Sequence, residues 1–175
     1  MLILSEYRSK DFRGDESNSH DTSKLCQKYK INEIIYTIIL DGKESAGKYT
    51  IIEMEFPTEK EIPLHKHTKE TIIIYIIEGD FLIRYGKENI NGIPGKVLRL
   101  EKNIEHSYKK IVNNKGKILV LFEPAGFENY FRDLNSVSSS SSASSISDDL
   151  NILDKDDDRI RLHLLEKTYG WTFCS

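Results

Sequence analysis

The chain has 175 residues, enough for one domain with appended segments and an ordinary hydrophobic core. Its 25 basic and 28 acidic residues are dispersed along the sequence and leave a net charge of -3. The sequence has no basic stripe interleaved with aromatic residues, so a nucleic-acid partner is not expected.

The ends of the sequence indicate a cellular compartment. The first residues, MLILSEYRSKDFRGDE, hold too short an apolar run for a signal peptide. The two cysteines, Cys26 and Cys174, lie near opposite ends of the chain and fit reduced thiols better than a disulfide framework. We therefore expect a cytoplasmic protein with no membrane partner.

The N-terminal part of the chain predicts an arm followed by two strands. Residues 1–30 are polar and punctuated by glycine, asparagine and serine, which indicates an irregular arm. Strands are predicted over residues 33–40 and 48–56, with a turn at Asp41-Gly42 between them. The second strand alternates as in a sheet with one solvated side. We expect its even-numbered face to be buried: Thr50, Ile52, Met54 and Phe56.

The stretch HKHTKETIIIYIIEGD, residues 65–80, places two histidines before a β-branched run. The run Ile72–Ile77 is too short to span a membrane and predicts a buried strand. Because side chains alternate along a strand, His65 and His67 share one face. Two such imidazoles either bind a metal together or make separate hydrogen bonds, and both interpretations stay open here.

Shorter strands are predicted after this stretch, and turn residues separate them. No helix-length pattern intervenes, so we expect an antiparallel sandwich or barrel with an all-β core. These strands are 81–86, 97–100, 107–112 and 117–123.

The pattern then changes to a helical period. Four apolar residues stand at i, i+3, i+4 and i+7 after the break at Pro124-Ala125-Gly126. They predict a short amphipathic helix whose aromatic face packs on the barrel: Phe127, Tyr130, Phe131 and Leu134. The barrel and this helix are expected to occupy residues 31–134.

Two more segments are predicted beyond the barrel. Residues 135–150 are expected to be a flexible linker, because nine of the twelve residues from 136 to 147 are serine. A second helix is predicted within residues 151–175, since aspartates complement the dipole at its start and Gly170 follows its end. Its apolar stripe consists of Ile160, Leu164 and Leu165.

The order of these elements, together with the histidines, resembles the cupin superfamily, in particular the small single-domain proteins described as quercetin-dioxygenase-like. Their first motif runs His-x-His, a few residues, a glutamate, six residues and a glycine, and His65, His67 and Gly79 match it. The second motif, Pro-x-Gly-x-x-His, falls on EKNIEH, where His106 takes the place of the third histidine ligand. The resemblance covers about residues 33–134. It implies an antiparallel double-stranded β-helix, or jelly-roll barrel, with short C-terminal helices.

The sequence departs from both motifs. Counting back from Gly79, the family's glutamate ligand falls on Ile72, whose side chain has no metal-binding atom. Glu70 stands two positions earlier with the same parity, and a bulge would have to cover the about 6.6 Å between the two positions. Glu101 and Asn103 replace the proline and glycine of the second motif. Asparagine tolerates the left-handed conformation that glycine supplies, so we expect the turn to be kept.

The resemblance implies a site for one divalent metal ion, Fe, Mn, Ni or Zn, with His65, His67, His106 and Glu70 as candidate ligands. Three neutral imidazoles without a carboxylate would leave the charge of the ion uncompensated, which favours anionic ligands or a polarised water. The alternative is a metal-free barrel, in which Ile72 extends an apolar cavity.

Other side chains are weaker candidates. Glu101 and Glu105 flank His106 and could act as acid-base groups, although exposed loop carboxylates are the simpler interpretation. Four aromatic residues could line a pocket, but aromatic residues at strand alternation are more often plain core. These four are Tyr75, Phe81, Tyr85 and Phe122.

Two functions follow from these expectations. One is a mononuclear-metal enzyme with dioxygenase-type or isomerase chemistry on a small organic substrate. The other is a non-catalytic module that binds or senses a small molecule and has a degenerate metal site. Cupins commonly pair through barrel strands, so a homodimer is expected in either case. Fold class alone does not decide between these functions.

Overall fold

The computed structural model describes residues 27–57, 60–111, 115–139 and 163–174. They form eleven strands, helix α1 and a second helical segment over residues 163–169. None of the helices among these residues is long and apolar enough to span a membrane. The elements with defined bounds are β1 (Gln27–Ile31), β2 (Ile34–Leu40), β3 (Thr50–Phe56), β4 (Glu61–His67), β5 (Thr71–Glu78), β6 (Phe81–Tyr85), β7 (Glu88–Gly92), β8 (Val97–Leu100), β9 (His106–Lys110), β10 (Gly116–Glu123), α1 (Glu128–Ser139) and β11 (Trp171–Phe173).

The strands form two antiparallel sheets. The larger sheet has the order β1-β2-β3-β10-β5-β8, and the smaller has the order β11-β4-β9-β6-β7. Phe56 on β3 packs edge-on against Phe81 on β6, with ring centroids 5.1 Å apart, so the core lies between the two sheets. The predicted all-β double-stranded β-helix, a jelly-roll barrel, is confirmed.

Alternation along the strands decides which side chains enter the core. The four even-numbered residues of β3 are at most 4% exposed, as predicted. On β5, Ile72, Ile74 and Ile76 are at most 1% exposed, whereas Tyr75 and Ile77 are at least 40% exposed. Tyr75 therefore lies on the outer face of the sheet, in neither the core nor an internal pocket, the two places that the sequence left open for it.

The barrel begins earlier than expected. β1 starts at Gln27, inside the segment that was expected to be an irregular arm, and it pairs with β2. The two turn residues of this hairpin, Asn32 and Glu33, have φ values of 49° and 69°. Turns with positive φ at both central residues match the twist of paired strands. Glutamate is unusual there, which is why the sequence pattern placed Glu33 in the strand.

The C-terminal segment contains a strand that the sequence analysis did not predict. Within the range of the expected helix, described residues 163–169 are helical and Gly170 follows with a φ of 68°, as the glycine stop signal indicated. The chain then continues as β11, which pairs with β4. A strand of three residues is too short to show a hydrophobic period. Residues 140–162 lie outside the described part of the chain. They include the serine-rich stretch from 140 to 150 and the first part of the range in which the second helix was predicted.

Helix α1 covers one end of the barrel with aromatic side chains, as predicted. Tyr130 and Phe131 are 3% and 4% exposed. Phe131 lies 4.9 Å from the ring of Tyr36 on β2 and 5.8 Å from that of Tyr29 on β1, between centroids. Buried aromatic contacts of this kind contribute free energy beyond their area alone.

Glu128 fastens the start of α1 to the barrel. Its side chain is 3% exposed. Oε1 accepts a hydrogen bond from the Gly42 N–H at 2.9 Å, and Oε2 accepts one from the Gly126 N–H at 2.8 Å. Oε2 also accepts from the Thr50 hydroxyl. These bonds connect the helix to the turn after β2 and to β3, so they hold the aromatic face of α1 in place.

We expect Glu128→Ala to lower the free energy of unfolding by about 2–4 kcal/mol, because three donors, of which the Thr50 hydroxyl is buried, lose their acceptor. Urea unfolding followed by circular dichroism measures this. Glu123→Ala removes an exposed carboxylate from the end of β10 and is the control, with an expected change of less than about 0.5 kcal/mol. Equal losses in the two variants would show that the Glu128 hydrogen bonds do not anchor the helix.

Candidate metal centre

Three histidines converge inside the barrel. His65 and His67 lie on β4 and His106 is the first residue of β9, and each is at most 2% exposed. One ring nitrogen from each lies within 4.8 Å of those of the other two. The ring centroids are 4.4 Å apart for His65 and His106, and 5.2 Å apart for His65 and His67. The structure therefore brings together the three histidines that the sequence singled out.

Strand pairing explains this convergence. β4 and β9 are antiparallel neighbours, and their register places His65 opposite His106. His67 follows on the same face of β4 because side chains alternate along a strand. Asn103, in the turn before β9, has a φ of 66° and donates its N–H to the carbonyl of His67 at 2.7 Å. The turn expected from asparagine in the glycine position is thus present, and it ties the two histidine-bearing segments together.

Backbone carbonyls set the tautomers of two histidines. Nδ1 of His65 lies 2.8 Å from the carbonyl oxygen of Pro63, and Nδ1 of His106 lies 2.9 Å from that of Ile104. A carbonyl only accepts, so in each ring Nδ1 carries the proton and Nε2 keeps its lone pair. Nε2 of His106 is buried and has no hydrogen-bond partner within the described structure. A metal ion binds to a ring nitrogen that has a free lone pair, while the other nitrogen of the same ring is held by a hydrogen bond.

Burial keeps the three rings neutral. Desolvation, followed by the proximity of His106, lowers the pKa of His67 to about 3. Desolvation and the two neighbouring imidazoles lower the pKa of His65 well below its usual range. Desolvation also lowers the pKa of His106. Near pH 7 protons therefore do not compete for the nitrogen lone pairs.

Glu70 lies beside the cluster, outside the group of three. Its carboxylate Oε2 is 3.4 Å from Nδ1 of His67, and the side chain is buried. Burial raises the pKa of Glu70 to about 7, while that of His67 is lowered, so the contact is not an ion pair of two charged groups. The turn between β4 and β5 brings Glu70 to the ring of His67, where neither Oε2 of Glu70 nor Nδ1 of His67 has a hydrogen-bond partner among the described residues. Its role as a direct ligand stays a prediction.

A small cavity adjoins the histidines. Its volume is about 50 Å³, room for a few water molecules. Apolar and aromatic side chains from both sheets, α1 and β11 line it, together with His65 and His67. Of the four aromatic residues that could line a pocket, Phe122 does so, and Ile72 is buried in the core and is not among the residues of this wall. Ile72 therefore does not extend the cavity, which is the place that the metal-free alternative gave it.

Several wall residues carried no signal in the sequence. Tyr36 and Tyr108 line the cavity, and burial raises the pKa of both phenols, so both hydroxyls keep their protons near neutral pH. Trp171 reaches the cavity from β11, whose pairing with β4 the sequence pattern did not show. Glu101, by contrast, pairs with Arg99 at the exposed edge of the site. The described residues that could hold a metal together are the three histidines.

Comparisons with known proteins agree with this geometry. No protein-family model matches the chain. The chain is 27% identical over 100 residues to quercetin 2,3-dioxygenase of Bacillus subtilis strain 168, an alignment that covers 57% of this chain and 29% of that protein. The chain thus spans less than a third of this curated relative.

Solved structures share the fold. A predicted oxalate decarboxylase from Thermotoga maritima matches with a TM-score of 0.54 and 19% identity, over 57% of this chain and 93% of that one. An RmlC-like cupin from Shewanella frigidimarina matches with a TM-score of 0.53 and 14% identity, over 65% of this chain and 96% of that one. With two facing antiparallel sheets and the histidine cluster between them, the chain contains a cupin-type domain.

We expect acid to destabilise the metal-free protein through the buried histidines. As pH falls below about 6.5, the histidines of the unfolded chain become protonated, whereas the buried rings of the folded protein stay neutral. Each such histidine therefore lowers the free energy of unfolding by up to about 1.4 kcal/mol per pH unit. Urea unfolding of chelator-treated protein between about pH 7 and pH 5 measures this slope. His67→Gln should make the slope shallower, because its folded pKa of about 3 no longer contributes.

His163→Gln is the control for this prediction, because the His163 side chain is 79% exposed. Its slope should equal that of the unmodified protein. A His67→Gln slope indistinguishable from the control would contradict the neutral, buried state of His67.

Proposed function

We propose that this protein binds one divalent metal ion through His65, His67 and His106. The carrying observation is the convergence of three buried, neutral imidazoles, of which two have Nδ1 engaged with a backbone carbonyl. The buried, unpartnered Nε2 of His106 fits the same interpretation, because a buried acceptor left unsatisfied is costly. Imidazole nitrogen suits Fe, Ni and Zn better than Mn, which prefers oxygen ligands, and the donor set does not choose among the first three.

The surrounding residues define what the site accepts. None of the three histidines carries a negative charge, so anionic or strongly polarised oxygen ligands are favoured next to a divalent ion. Tyr36 and Tyr108, whose phenols keep their protons near neutral pH, line the same cavity. The apolar wall excludes bulk water, which strengthens every electrostatic interaction inside.

We further propose dioxygenase-type chemistry on a small organic substrate. When bound, a redox-active metal supplies sites at which oxygen and substrate can meet, or Lewis acidity for proton transfer. The likeness to quercetin 2,3-dioxygenase over 100 residues supports this activity, and the name describes that protein alone. The cavity of about 50 Å³ supports a substrate of few heavy atoms in the closed structure.

The first test is metal content. We expect protein purified without an affinity tag, after incubation with Fe, Mn, Ni or Zn, to hold about one equivalent by inductively coupled plasma mass spectrometry. His106→Ala should lower the metal content at least about tenfold, because one of three ligands is lost. His163→Ala removes an exposed histidine and should change nothing.

The single tryptophan gives a second readout of the same site. Trp171 lies 5.6 Å from the ring of His65, between centroids, so paramagnetic Cu²⁺ bound at the cluster should quench its fluorescence at one equivalent. The quenching should vanish in His106→Ala. Full metal content in His106→Ala, or none in the unmodified protein, would overturn the proposal.

The second candidate function is a non-catalytic module that holds a small apolar ligand. Two observations favour it: the cavity wall is mostly apolar, and the position of the family's glutamate is Ile72, 1% exposed. In that case xenon, which enters small apolar cavities, should raise the thermal midpoint of chelator-treated protein by mass action. Added metal should leave the midpoint unchanged. A thermal midpoint that rises with added metal and does not change with xenon would support the metal site instead.

Three further expectations stay predictions. The homodimer rests on the cupin resemblance, and so does the small-molecule partner. The cytoplasmic location rests on the first residues and on the two cysteines, of which Cys174 is free and partly exposed in the structure. The catalytic activity has no residue assigned to it beyond the proposed metal ligands.

A further inference from the structure

The C-terminal strand lies directly on the strand that carries two of the histidines. β11 pairs with β4 so that Trp171 is opposite His67 and Phe173 is opposite His65. Backbone hydrogen bonds flank this pairing on both sides. The Thr68 N–H donates to the carbonyl of Gly170, and the Cys174 N–H donates to the carbonyl of Leu64, each at 2.8 Å.

Gly170 fixes the point at which the chain enters β11. Its φ is 68°, a conformation that side chains disfavour. A Cβ at this position would also lie 2.3 Å from the Thr68 hydroxyl oxygen. The positive φ favours glycine here, and any larger residue would displace the side chain of Thr68 at the entry to β11.

The indole of Trp171 forms one wall of the cavity. Its ring is edge-on to His65 at 5.6 Å and nearly parallel to His67 at 6.3 Å, between centroids. On its other side it packs against Tyr130 of α1 at 4.9 Å. Between the histidines and α1, the indole thus occupies volume that a larger ligand at the cluster would need.

The indole also carries an unused donor. Nε1 of Trp171 is buried and has no hydrogen-bond partner in the described part of the chain. A buried N–H without an acceptor costs free energy, and the cavity that Trp171 lines is the space in which an acceptor could bind. The space that the indole occupies and its unused N–H therefore both indicate a small ligand that carries a hydrogen-bond acceptor.

We propose that Trp171 is the specificity-determining residue of this site. Its ring limits ligands at the histidine cluster to a few heavy atoms, and its Nε1–H donates to an oxygen of that ligand. The class that fits is a small oxygen anion, such as a short carboxylate. This inference rests on the proposed metal site, because the negative charge of the ligand would face the ion.

The test compares two monocarboxylates that carry the same charge and differ strongly in bulk. Co²⁺-loaded protein is titrated with formate and with benzoate, and its visible absorption bands report ligand binding. We expect the unmodified protein to bind benzoate at least about tenfold more weakly than formate, because the phenyl ring meets the indole. Trp171→Val keeps a residue that favours strands and should bring the two affinities within about threefold.

A second variant separates the two roles of the indole. Trp171→Phe retains most of the ring but lacks the N–H, so formate should bind about three- to tenfold more weakly while benzoate stays excluded. Thr172→Val is the matched control. Thr172 is the next residue of the same strand and is exposed, so its variant should match the unmodified protein for both ligands.

The outcomes separate the two proposals. If Co²⁺ gives no bands with any variant, the metal site itself is wrong and this inference falls with it. If the bands form but Trp171→Val keeps the original preference for formate, the metal site stands and the role of Trp171 is overturned. If circular dichroism shows Trp171→Val unfolded, Trp171→Phe decides, and an unchanged formate affinity there counts against the donor role.

Discussion

The pairing of β4 on both of its edges is the constraint on which the site depends. β9 on one side brings His106 opposite His65, and β11 on the other brings Trp171 opposite His67. Each partner strand thus contributes one side chain to the histidine site, which the side chains of β4 alone could not form. Because a slip of one residue would turn every side chain of β4 to the other face, the register of these pairs is also the geometry of the site.

Burying three imidazoles next to one another is unfavourable unless their polar atoms have a use. Two Nδ1 atoms donate to carbonyls only two residues away in the chain, which are interactions local to each strand end. In His65 and His106, those contacts satisfy one ring nitrogen and leave the other facing inward. The fold therefore retains acceptors in a poorly hydrated interior, and a cation is the partner that such acceptors suit.

Much of this arrangement could be predicted from the sequence. Period-two alternation identified the buried face of β3 and placed His65 and His67 on one face of a strand, because each signal is carried by local residues in regular strands. His106 was assigned to the site only through the resemblance to the cupin motifs. β11 could not be found in this way. Its three residues have no period, and Trp171 acquires its role only through pairing with a strand about a hundred residues earlier in the chain. Glu70 shows the same limit: counting along a strand placed it too far away, whereas a turn brings it to His67.

Ile72 stands where the cupin motif has a glutamate, and the structure brings a different carboxyl group to the histidines. Ile72 is buried opposite Phe122 and Leu100 in the larger sheet, where it completes the apolar core. The carboxyl group nearest to the cluster is instead that of Glu70, behind the ring of His67. The contact of Glu70 Oε2 with His67 Nδ1 is not a hydrogen bond, so Glu70 lies beside the ring without fixing its orientation. The chain thus has a buried acidic group beside the histidine cluster, and burial raises its pKa to about 7, so it is partly protonated near neutral pH.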